Sequence, residues 1–107
     1  MEQKTEKIQE IQVLEQNMHN LLLQKQNFDI EMSETQNALE ELDISGDKVY
    51  KIIGQLMLKT DKEKMKEQLK NREEMLKIRL KTLDKQENEL SKKIESLRED
   101  IMNSMRK

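Results

Sequence analysis

The segment Val49-Tyr50-Lys51-Ile52-Ile53-Gly54-Gln55-Leu56-Met57-Leu58-Lys59-Thr60 decides the fold. Its first five residues are β-branched and aromatic apart from Lys51, which favours a strand. A second apolar run begins at Leu56. Only Gly54-Gln55 lie between the two, and Gly first in a two-residue loop is the signature of a type II′ turn. The segment therefore reads as a β-hairpin over about residues 48–60. In that register Ile53 faces Leu56, Ile52 faces Met57 and Lys51 faces Leu58, so both sheet faces carry apolar groups. An isolated two-stranded hairpin is marginal in water, and its edges invite pairing with other chains. The expectation is that several chains bring their hairpins together into a larger sheet or barrel. The residues that would make that contact are Val49, Tyr50, Ile52, Ile53, Gly54, Leu56, Met57 and Leu58.

Working outward, both flanks are heptad-patterned. Upstream, about residues 2–42, the a positions are Ile11, Met18, Lys25, Met32 and Leu39. The d positions are Leu14, Leu21, Phe28, Thr35 and Leu42, so eight of these ten are apolar. Downstream, about residues 61–106, the d positions are Leu69, Leu76, Leu83, Leu90 and Leu97, and the a positions are Glu73, Leu80, Glu87, Ile94 and Ile101. Apolar residues at steps of three and four on an otherwise polar surface specify a coiled-coil seam. The helices have similar lengths, so they are expected to pair antiparallel. Gly46 is the expected stop of the first helix, through a positive φ. Thr60-Asp61-Lys62-Glu63 reads as a capping box opening the second, with Thr60 as N-cap. Lys25 should lie opposite the Glu73–Glu87 part of the second helix, and a Lys25–Glu87 contact that sets register is expected. The expected fold is mainly α: one domain over residues 1–107, a long antiparallel two-helix coiled-coil hairpin with one β-hairpin inserted, assembling into an oligomeric β-barrel platform.

Composition narrows the function classes. The 107 residues hold 39% charged and 34% hydrophobic side chains, with one Tyr, one Phe and no Trp, too little apolar bulk for a globular core of that length. The net charge is −2 with acids and bases interspersed, unlike the basic face that nucleic acid requires. The absence of Cys removes disulfides, thiolate catalysis and Cys-ligated metal. No run approaches the ~18 apolar residues of a membrane span, and the polar start carries no apolar signal segment. A cytoplasmic protein is expected, without nucleic-acid or membrane partners. His19 is the only histidine, and a metal centre needs three or four converging ligands. Asp43-Ile44-Ser45-Gly46-Asp47 lacks the acidic alternation of a calcium loop and reads as a turn. There is no phosphate loop and no dinucleotide fingerprint. Carboxylate pairs such as Glu40-Glu41 have no pocket to shift their pKa. The expectation is no catalysis, no metal and no cofactor.

Near the ends of the helices, Ile8, Val13, Leu22, Leu23, Met102 and Met105 are apolar but off the seam. One reading is that they merely widen it. The other is a surface that holds non-native chains, since Met side chains repack around partners of no fixed shape. The residues singled out for client binding are Ile8, Ile11, Val13, Met18, Ile101, Met102 and Met105.

Val49-Tyr50-Lys51, followed by Gly54 and Leu58-Lys59 and placed between two coiled-coil arms, resembles the β-class subunits of prefoldin. Gln24-Lys25-Gln26 and Ala38-Leu39-Glu40-Glu41-Leu42 are also similar, and the architecture agrees over essentially all 107 residues. The α class has two hairpins between its helices, whereas the connection here has room for one by strand-length norms. The resemblance implies an ATP-independent molecular chaperone. It implies a hexamer of two α-class and four β-class subunits whose hairpins form a β-barrel. The coiled-coil tips would hold unfolded clients and pass them to a group II chaperonin. The lean chain suits an archaeal β subunit, with a eukaryotic β-class paralogue as the other option. A structural scaffold or tether without client binding is the competing function, because heptads alone specify only helix pairing.

Overall fold

The computed structural model describes residues 2–106, with side chains from Lys4. Helix α1 spans Glu2–Ile44, strand β1 Val49–Ile53, strand β2 Leu56–Thr60 and helix α2 Lys62–Met105. The architecture is mainly α, two long helices with a two-stranded antiparallel hairpin between them. Two compact units are distinguished. One comprises residues 28–79 and contains the hairpin; the other comprises residues 1–27 and 80–107.

In the unit of residues 28–79, the seam positions expected from the heptads are the ones withdrawn from solvent. Leu76 is fully buried at 0% exposure, with Leu42 and Thr35 also buried. A hydroxyl at a core d position would cost free energy if left unsatisfied. Here Thr35 Oγ1 donates to the Glu31 carbonyl at 2.7 Å, which removes that penalty. Ion pairs Asp43–Lys66 at 3.1 Å and Glu31–Arg72 at 3.6 Å flank the seam and step in opposite senses along the two helix segments, as antiparallel pairing requires. Arg79 lies over the Phe28 ring, 5.6 Å from its centroid, a cation–π contact to the half-buried aromatic residue of the seam.

The hairpin register is the expected one: Ile53 opposite Leu56, Ile52 opposite Met57, Lys51 opposite Leu58. Gly54 has φ +60°, and no other described residue has a positive φ. Gln55 is therefore on the negative side, which makes the turn type II′ rather than I′. No atom lies within 4 Å of a Cβ built on Gly54, so the demand for glycine comes from the backbone alone. Gly54→Ala is expected to destabilise the hairpin by about 1–2 kcal/mol. Amide exchange in residues 49–60 should accelerate, with the helices unchanged.

The helix ends differ from expectation in two places. Gly46 does not end α1 through a positive φ. The helix runs on to Ile44, and Ser45 closes it: its amide donates to the Glu41 carbonyl at 3.0 Å and its Oγ to the Leu42 carbonyl at 3.0 Å. A side-chain hydroxyl thus satisfies a terminal carbonyl that a left-handed glycine would otherwise serve. Nor is Thr60 the N-cap of α2. Thr60 pairs with Val49 in the sheet, so its backbone belongs to the strand. Asp61 takes the role one residue later: its Oδ1 accepts from the Glu63 amide at 3.1 Å and its carbonyl from the Met65 amide at 2.9 Å. Lys62 Nζ donates to the Ser45 carbonyl at 2.9 Å, linking the start of α2 to the end of α1.

The other unit repeats the pattern. Leu83 and Ile94 are buried. Glu15–Arg98 at 2.6 Å and Lys7–Asp100 at 3.8 Å again step in opposite senses. Among the described residues no helix is long and apolar enough to cross a membrane.

Candidate functional site

In a two-stranded sheet, successive side chains alternate faces and directly opposed pairs share one. Ile52 and Met57 therefore share a face with Tyr50 and Lys59. Ile53 and Leu56 share the other with Lys51 and Leu58. The helices cover neither face. Tyr50, Ile52, Ile53, Leu56, Met57 and Leu58 retain between 47% and 68% of their exposure, and only Val49 and Thr60, where the strands join the helices, are half-buried. Six large apolar side chains in ten strand residues are thus left in water, far beyond the scattered exposure usual in monomers. An open apolar groove runs along β1, lined by Leu42, Val49, Tyr50, Ile52, Met65 and Leu69 among others. Sequence patterning located the hairpin residues. The groove depends on how β1 leans over the helices and was not legible in the sequence.

The residues proposed for client binding divide in two. Ile8, Val13, Met102 and Met105 are exposed. Ile11, Met18 and Ile101 are half-buried at a positions of the seam. Leu22 and Leu23 are exposed as well.

Lys25 interrupts the seam as a cation. Its Nζ donates to Glu87 Oε2 at 2.9 Å, the contact expected from the helix lengths, and also pairs with Asp84 Oδ1 at 2.6 Å. Hydrogen bonds to Asp84 first and Glu87 second hold the ammonium above the ordinary lysine range. Asp84 was not foreseen because it occupies an e position and reaches Lys25 from beside the seam. Lys25 satisfied in this register and orphaned in a slipped one specifies alignment, as isolated polar a residues do in coiled coils. Among the described residues, no group of three or more His, Cys, Asp or Glu is arranged to hold a metal.

Residues 5–107 match the family described as Prefoldin subunit. The chain belongs to the prefoldin family. Its relatives are β-class. It is 37% identical over 94 residues to the prefoldin subunit beta of Thermococcus onnurineus, covering 86% of this chain and 81% of that one. It is 35% identical over 100 residues to that of Methanosarcina acetivorans, covering 92% and 86%. The crystal structure of the prefoldin beta subunit from Thermococcus strain KS-1 superposes with a TM-score of 0.90 at 32% identity, covering 98% of this chain and 94% of that one. Prefoldin subunits are chaperones, and β subunits form hetero-oligomeric complexes with other prefoldin subunits. The single hairpin between two helices seen here is the architecture of that β subunit.

Proposed function

We propose that residues 1–107 act as one prefoldin β-type domain in an ATP-independent chaperone. Two α-class and four β-class subunits would assemble through their hairpins into a β-barrel. The clients would be unfolded or nascent polypeptides, held near the free ends of the helices and handed to a group II chaperonin in the cytoplasm. The observation that supports this most is the hairpin, apolar on both faces and exposed on both, in a chain whose relatives are hetero-oligomeric chaperone subunits. Val49, Tyr50, Ile52, Ile53, Gly54, Leu56, Met57 and Leu58 would build the platform. Ile8, Val13, Met102 and Met105 would contact clients, with Ile11, Met18 and Ile101 beneath them. The scaffold alternative is disfavoured, because a tether has no use for a two-faced apolar hairpin. Non-enzymatic action is in keeping with the chaperone family.

The reconstituted complex should suppress aggregation of a denatured client without ATP. Removing residues 1–12 and 98–107 from every β-type subunit should abolish that protection while leaving the complex assembled. Full protection by the truncated complex would refute client holding at the ends.

A further inference from the structure

The chain holds eight methionines but neither Cys nor Trp. Its thioethers are therefore its softest nucleophiles, and they react with peroxides without having to lose a proton. The structure sorts them by access. Met18, Met32 and Met65 are half-buried. Met57 is exposed in the single chain but lies on the hairpin face that the proposed assembly covers, and Met75 is exposed on α2 outside the seam. Met102 and Met105 are 53% and 65% exposed in the last turns of α2.

Met102 and Met105 are set apart by position. They lie three residues apart on one helix, so their side chains share a face. They stand outside the seam, where Ile94 is buried and Ile101 half-buried. The Lys7–Asp100 pair at 3.8 Å brings Ile8, also exposed, to about their height. The backbone beneath them is held in the helix, since the Arg106 amide donates to the Met102 carbonyl at 3.1 Å. An added oxygen on either sulfur thus meets water and leaves the pairing of the helices intact. What it changes is the surface: a flexible apolar side chain becomes polar and chiral.

We propose that Met102 and Met105 form a modification site for peroxides, at which oxidation to methionine sulfoxide switches off the hold on apolar client segments. A sulfur lone pair attacks one oxygen of hydrogen peroxide, and the O–O bond breaks as the S–O bond forms. The proton of the transferred hydroxyl passes to the departing hydroxide, which leaves as water. The sulfur loses two electrons and the peroxide gains them. Methionine sulfoxide reductases undo the step, one for each configuration at sulfur. The consequence for clients rests on the holding surface proposed above; the oxidation itself does not.

The test treats the assembled complex with hydrogen peroxide and maps added oxygen by peptide mass spectrometry. Sulfoxide should appear at Met102 and Met105 well before Met18 and Met32. Sedimentation velocity should show the mass of the complex unchanged. Protection of a denatured client without ATP should then require about tenfold more complex, and treatment with the two reductases should restore it. A complex with Met102→Leu and Met105→Leu in every β-type chain is compared with itself before and after peroxide. Its protection, whatever the starting level, should not change, whereas a Met75→Leu complex should lose protection as the parent does. Sulfoxide forming first at Met18 or Met32, full protection by the doubly oxidised complex, or an equal loss in the Leu double variant would overturn the proposal. Failure of the holding surface itself has a different signature. In that case removal of residues 1–12 and 98–107 leaves protection intact as well. Failure of the oxidation site alone leaves the truncated complex inactive and the oxidised one fully active.

Discussion

Ile52→Asp together with Met57→Asp should disperse the assembled complex into free subunits whose helices remain folded. The two residues are directly opposed in the register and share one sheet face. They are 68% and 66% exposed in the single chain. In the isolated subunit, therefore, the two carboxylates remain in water and cost little beyond a small loss of strand propensity. Once the face is covered by a neighbour, the same two carboxylates must be desolvated, at several kcal/mol each, and Lys59, the one cation of that face, offsets this only in part. The substitutions thus act on the assembly rather than on the fold. Light scattering should report the mass of separate subunits, and far-ultraviolet circular dichroism should report unchanged helix content. An assembly that keeps its mass would show that this sheet face is not covered by a neighbour.

Leu76→Ala should produce a larger loss of stability than truncation to Ala of any other large apolar side chain among the described residues. Leu76 is completely buried, the only large side chain so enclosed among the described residues. Truncating it removes three heavy atoms of buried contact and leaves a cavity that a two-helix seam can only partly collapse. The cost is about 2–5 kcal/mol. The thermal midpoint should fall by on the order of 10 °C. Gln68→Ala, on an exposed position of the same helix, should change stability by less than about 0.5 kcal/mol. Equal effects of the two would mean that the seam does not carry the stability of this part of the chain.

Much of the fold was legible in the sequence because the information is local and periodic. The a and d positions assigned from spacing are the positions withdrawn from solvent. Gly54-Gln55 specified a two-residue turn, and that turn in turn specified the register of five residue pairs. Lys25 against Glu87 followed from helix lengths alone. The helix ends were less legible because several residues competed for each role. Thr60 and Asp61 are both good N-caps, and the choice fell to the strand, which holds Thr60 in the ladder. Ser45 and Gly46 are both good terminators, and a hydroxyl reaching the Leu42 carbonyl made a left-handed glycine unnecessary.

The sequence by itself determined that this chain is two seam-bearing helices joined by one hairpin, because spacing of three, four and two residues dictates which side chains share a face. It also determined that the hairpin is apolar on both sides. Only the tertiary structure decided that neither side is covered within the chain, since exposure depends on where the helices lie rather than on what the strand contains. The same holds at the helix ends. Ile8 and Val13 stay in water while Ile11 turns into the seam. The structure also placed Asp84 on Lys25, a distance through space that no local pattern encodes.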